Sequence, residues 1–161
     1  MRALTAALFS ATVFLASPVL AQDTSNSSAD TNMEILMQKI KADKKLLVAS
    51  NMDLSDAEAK NFWPLYEAYQ KDLHKINDQM LHAIKDYAEA FNKGPIPNDT
   101  AKRLLNEALS VQQSEVKLKQ TYAEKIGKVL PASKTARYIQ IENKIRAIIN
   151  FELARQIPLA Y

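Results

Sequence analysis

Phe62, Tyr66, Tyr69, Leu73, Ile76, Met80, Ala83, Tyr87 and Ala90 follow one another at alternating spacings of four and three residues. That is the period of an α-helix with a single buried stripe. Sustained over about four heptads, it favours coiled-coil-like packing against other helices. The stripe is punctuated at both ends. Ser55 can cap a helix start, Glu58 three residues on can reciprocate in a capping box, and Asp56 suits the positive end of the helix dipole. At the far end Gly94-Pro95 stops the helix, because Gly accepts a left-handed turn and Pro cannot continue it.

Three further helices fit around this one. A first helix is expected from Met33 to Ala49, with Met33, Leu36, Ile40 and Leu47 on one side and Asp43 interrupting the stripe. A third is expected from Thr100, capped by Asp99, to about Ile126 or Leu130, with Gly127 as a possible early stop. A fourth would take Pro131 as its first residue and run to about Gln156, with Tyr138, Ile141, Ile145, Ile148, Ile149 and Leu153 on one side. The expectation is an all-α fold, an elongated helical hairpin of about four helices. Helices this long have little core for their surface, which predicts a homodimer.

Composition removes other classes. Two Gly and six Pro among 161 residues, about 5% where about 12% is usual, disfavour turn-rich β folds and Gly-rich phosphate loops. No Cys is present, which excludes a disulfide scaffold, Cys-ligated metal centres and a thiol nucleophile.

Residues 1–21 read as a secretory signal peptide: Arg2, an apolar run from Ala3 to Ala16, and the small-residue site Val19-Leu20-Ala21. The apolar run is shorter than the ~20 residues a membrane-spanning helix needs. A soluble, periplasmic protein without stable membrane insertion is expected. Residues 22–32 are small and polar and read as a disordered leader, and 33–161 as the helical domain.

Without Arg2 the chain carries 20 basic and 18 acidic residues, too even for nucleic-acid binding. The two halves differ. Residues 22–98 hold 9 basic and 12 acidic side chains, and 99–161 hold 11 and 6, so helices from opposite halves attract modestly.

Chemistry is sparse. His74, Asp78, His82 and Asp86 form an i, i+4 series that could chelate a divalent metal, but it lies opposite the Phe62 to Tyr87 stripe and reads first as a solvated polar face. Glu115 and Glu142 fall on inward-looking arcs, but no Glu has His three residues later, as ferritin-like di-metal centres require. Glu142 is expected to pair with Arg146 or with Tyr hydroxyls. No cofactor motif and no nucleophile–base arrangement is recognisable, so a binding protein is expected rather than an enzyme.

Phe62, Trp63, Tyr66 and Tyr69 read either as a hydrophobic plug for a bundle end or as an aromatic binding surface. In the second reading they form a client-binding surface, with positive charge from Lys117, Lys119, Lys125 and Lys128.

Leu54-Ser55-Asp56-Ala57-Glu58 and Leu130-Pro131-Ala132-Ser133-Lys134 resemble degenerate copies of the paired Leu-Thr-x-x-Gln signature of the Spy/CpxP periplasmic chaperone family. Pro131 stands where that signature has Thr. The resemblance covers about Met33 to Gln156. It implies an antiparallel, cradle-shaped homodimer that holds partly unfolded envelope proteins without ATP or senses envelope stress. On that reading Leu54, Ser55, Glu58, Leu130 and Pro131 are structural motif positions. A metal-responsive envelope protein and a dedicated protein-interaction module are the alternatives.

Overall fold

A computed structural model describes residues 43–160, which lie within one compact unit, Ala42–Tyr161. The expected signal peptide, the polar leader and the start of the first helix lie outside the described residues. All regular structure among the described residues is helical: α1 (43–52), α2 (Asp56–Asn92), α3 (Asn98–Ile126) and α4 (Ala132–Gln156). At ~1.5 Å per residue, the 37 residues of α2 extend about 55 Å.

The start of α2 follows from its sequence. The Ser55 hydroxyl accepts the Glu58 amide, and the Glu58 carboxylate accepts the Ser55 amide at 2.8 Å, which closes the capping box. The helix continues through Pro64 to Asn92, and Gly94 at φ +112° turns the chain away. α1 ends in a short turn where Asp53 adopts φ +46°, a left-handed conformation that Asp tolerates better than most residues.

Two expected boundaries shift. Asp99 does not cap α3: Pro97 does, in extended conformation, its carbonyl accepting the Ala101 amide at 2.9 Å, which places Asp99 in the first turn. Pro131 stands one residue before α4 rather than within it, its carbonyl accepting the Thr135 amide at 2.9 Å. Gly127 follows the last residue of α3, so the earlier of the two expected ends is the real one.

Cross-helix contacts fix the directions. Asp86, late in α2, meets Arg103, early in α3, whereas Asp72 meets Tyr122, so α2 and α3 are antiparallel. Gln70 meets Glu142 and Asn77 meets Arg146, so α4 runs alongside α2 in the same direction. α1 runs back against both, with Lys45 on Glu67 and Lys44 on Glu142.

The core sits where all four helices meet. Val48, Met52, Phe62, Tyr69, Ile126 and Tyr138 have no exposed surface. Its centre is aromatic: Phe62 and Tyr138 meet edge to face at 5.2 Å, Tyr69 and Tyr122 at 5.3 Å, and Tyr69 and Tyr138 at 5.7 Å. Such pairs contribute about 0.5–1.5 kcal/mol each beyond the area they bury.

Two stripes differ from expectation. The inward row of α1 is Lys44, Val48 and Met52, while Leu47 is half-exposed. The buried line of α4 is Thr135, Tyr138, Glu142 and Arg146, whereas Ile148 is 66% exposed. In both helices a charged residue faces inward because an oppositely charged partner waits there.

Candidate functional site

Beyond the aromatic core the bundle carries a polar seam and then an open groove. The seam has two carboxylates, Glu142 buried and Glu115 partly buried. Glu142 receives Lys44 Nζ at 2.7 Å and Gln70 Nε2 at 2.9 Å, and Gln70 also reaches the Tyr138 hydroxyl at 3.4 Å. Glu115 receives Arg146 Nε at 2.9 Å and Lys119 Nζ at 2.8 Å, while Arg146 Nη2 donates to Asn77 Oδ1 at 2.8 Å.

Glu142 thus pairs with Lys44, and Arg146 turns to Glu115 instead of to its i−4 neighbour. Burial pushes the Lys44 ammonium below its ordinary value, although Glu142 opposes the shift. The Tyr69 and Tyr138 hydroxyls are pushed far up, first by burial and then by the negative charge of Glu142. Tyr69 Oη and Thr135 Oγ1 are buried and have no hydrogen-bond partner among the described residues.

Past Arg146 the stripe of α2 continues, and among the described residues its cover thins. Met80, Ala83 and Tyr87 of α2 face Leu104, Ala108 and Val111 of α3 and Leu153 and Ala154 of α4 across a groove of about 610 Å³. The space exists because Ala stands at facing positions on three helices, Ala83, Ala108 and Ala154, where larger side chains would fill it. One end is crossed by the chain leaving α4, where the Tyr87 hydroxyl donates to the Pro158 carbonyl at 2.8 Å. Leu105 lines the groove while 59% exposed, and Leu109 and Val116 extend that exposed apolar face along α3. The volume lies within the ~300–1,000 Å³ usual for binding clefts.

The proposed client-binding aromatics do not share one surface. Phe62, Tyr66 and Tyr69 are buried in the four-helix core, which corrects their reading as a binding surface in favour of the bundle plug. Trp63 is partly buried beside them, with Lys45 Nζ 5.4 Å from its ring centre. Lys117 and Lys128 are exposed, Lys119 is engaged by Glu115, and Lys125 lies over the Tyr122 ring at 4.6 Å.

The two motif segments come together. Leu54 and Leu130 pack on the core, and Lys134 Nζ reaches both Glu58 Oε2 at 2.7 Å and the Asp53 carbonyl at 2.6 Å. This hydrogen bond, with the Ser55 amide second, holds the Glu58 carboxyl down to about 2.

The metal-ligand series is not assembled into a site. His74 Nδ1 lies 3.8 Å from Asp78 Oδ1 on an exposed face, His82 is exposed, and Asp86 is engaged by Arg103 at 3.1 Å. Among the described residues no group of three or more His, Asp or Glu side chains is placed to hold a metal ion. Among them, too, no helix is long and apolar enough to cross a membrane.

The groove residues Leu104, Leu105, Val111 and Ala154 carry no motif. Their signal was compositional: Ala recurring a heptad apart at Ala101 and Ala108, with Leu104 and Leu105 between. Compared with protein-family models, curated proteins and solved structures, the chain finds no match.

Proposed function

We propose that this chain is an exported, ATP-independent chaperone-like or envelope-stress protein. It acts in the periplasm as a homodimer and holds apolar segments of partly unfolded clients in the groove between α2, α3 and α4. The observation that carries this reading is the groove itself, apolar along its walls and bordered by the exposed face of Leu105, Leu109 and Val116. A site that takes apolar side chains without demanding a hydrogen-bond pattern suits many sequences. Pairing two copies would add avidity to weak individual contacts.

The resemblance of the Leu54–Glu58 and Leu130–Lys134 segments to the Spy/CpxP signature supports the same reading. A second reading is a dedicated interaction module, favoured by the bounded length of the groove, which would seat one helix of a single partner.

The test offers the full chain a panel of unrelated proteins, each folded and chemically unfolded, without nucleotide. Retention of several unfolded proteins and of none of the folded ones is the expected result. Retention of one folded protein only would establish the interaction module, and retention of nothing would remove both.

A further inference from the structure

Resting on the reading of the groove as a binding site, we propose that it takes its ligand as an extended, uncharged apolar peptide. Gln112 and Asn150 hold that peptide through its backbone.

The chain already lays such a segment across one end of the groove. α4 stops at Gln156, since Pro158 disfavours a helical residue before it, and Ile157 is extended at φ −90° and ψ 115°. Ile157 and Ala160 line the groove, whereas Leu159 is 87% exposed. None of the residues 157–160 is charged, and the polar hold on them is through the main chain: the Tyr87 hydroxyl donates to the Pro158 carbonyl at 2.8 Å. Apolar side chains meet apolar walls while a side-chain group from α2 takes a backbone oxygen.

Further along, two side-chain amides offer contacts of the same kind. Gln112 lies about one turn before Glu115 on α3, and Asn150 about one turn past Arg146 on α4. The Arg146–Glu115 pair, at 2.9 Å, brings the two helices together there, and both amides line the groove just beyond it. Neither amide has a hydrogen-bond partner among the described residues. Each carries an acceptor oxygen and an NH2 donor, the set that matches the N–H and C=O of a peptide. From Asn150 to Ile157 the helix rises about 10 Å, which an extended chain crosses in about three residues.

Backbone chemistry selects an extended ligand over a helical one. A helix satisfies its backbone groups internally and gains nothing from these amides, whereas an extended chain between apolar walls leaves N–H and C=O groups that need partners. Charge selects in the same direction. Among the described residues that line the groove Glu115 alone is charged, and Arg146 and Lys119 already neutralise it. A charged side chain entering the groove would lose water and find no partner.

The test measures binding to the full-length chain with two short fluorescent peptides, each with a centre of Val, Leu and Ala and Ser-Gly ends, one linear and one held helical by a hydrocarbon staple. The linear peptide should bind about tenfold more tightly. Gln112→Met combined with Asn150→Leu replaces both amides by apolar side chains of similar size and should weaken the linear peptide about tenfold. Both positions are exposed, so helicity and the urea midpoint of the variant should stay native. Binding through apolar contact alone would move the other way, because the variant groove is more apolar. The proposal is overturned, with the groove still a binding site, if the variant binds the linear peptide as tightly as the native chain does or if the stapled peptide binds as tightly as the linear one. If neither peptide binds the native chain, the groove is not a binding site and the proposal falls with it.

Discussion

Lys134, at the start of α4, donates to the Glu58 carboxylate, at the start of α2, across 2.7 Å. Glu58 is therefore both the return half of the Ser55 capping box and the acceptor that joins two helix starts far apart in sequence. A carboxyl held below its unfolded value contributes stability that is complete above that value and disappears as pH falls through the folded one. For Glu58 the window runs from 4.5 down to about 2. Acid titration of helicity should show a loss of stability in that window for the native chain, with a smaller slope in Glu58→Gln. Ser55→Ala, which removes the cap hydroxyl, should cost about 1 kcal/mol in urea unfolding at neutral pH.

The Lys44–Glu142 pair predicts a different signature, because both side chains are buried. Lys44→Met leaves Glu142 without its cation and should destabilise by about 3–5 kcal/mol, as should Glu142→Leu alone. Together the two substitutions should recover most of that loss. A double-mutant cycle by urea unfolding checks this, and additive costs would show that the pair is not coupled.

Tyr69 makes the opposite case. Its hydroxyl is buried with no hydrogen-bond partner among the described residues. Deleting it removes an unsatisfied group and leaves the ring contacts with Tyr122 and Tyr138 in place. Tyr69→Phe should be neutral or stabilising by up to about 1–3 kcal/mol. Tyr69→Leu should be destabilising, since it loses the edge-to-face pairs.

Alkaline pH tests the aromatic core as a unit. Burial, then hydrogen bonding to Asp72, raises Tyr122 from 10.0 to about 12, and burial raises Tyr66, Tyr69 and Tyr138 further. Groups whose folded values lie above the unfolded one stabilise the fold fully below about pH 10 and less as pH rises beyond it. Tyrosinate absorbance from these four should appear together with loss of helicity, not ahead of it.

How much of this was legible follows the range of the interactions. α2 was readable almost residue by residue, since its cap, its stripe and its Gly94 stop are all local to the segment. Glu142 could be placed inward by periodicity, yet its partner could not. Whether Arg146 or Lys44 reaches it depends on how far α1 and α4 slide along α2, and that register is set by the aromatic cluster. The same limit applied to Phe62, Tyr66 and Tyr69, whose pattern favours a buried plug but also fits an exposed patch until α1 is known to lie over them. The groove was least legible. It exists because small Ala side chains on α2, α3 and α4 leave the space between these helices unfilled.

Client protection reads that groove most directly. Leu105 and Ala154 line it and are exposed, so Leu105→Glu and Ala154→Glu should leave the helices intact, within about 0.5 kcal/mol of native stability. The measurement is light scattering of aggregating unfolded clients, without nucleotide, at near-stoichiometric amounts of the chain. The native chain should suppress aggregation, and the double variant should need roughly ten times as much for equal suppression, a loss of about 1.4 kcal/mol in binding. Equal protection by both chains, or none from the native chain, would contradict the assignment of client binding to this groove.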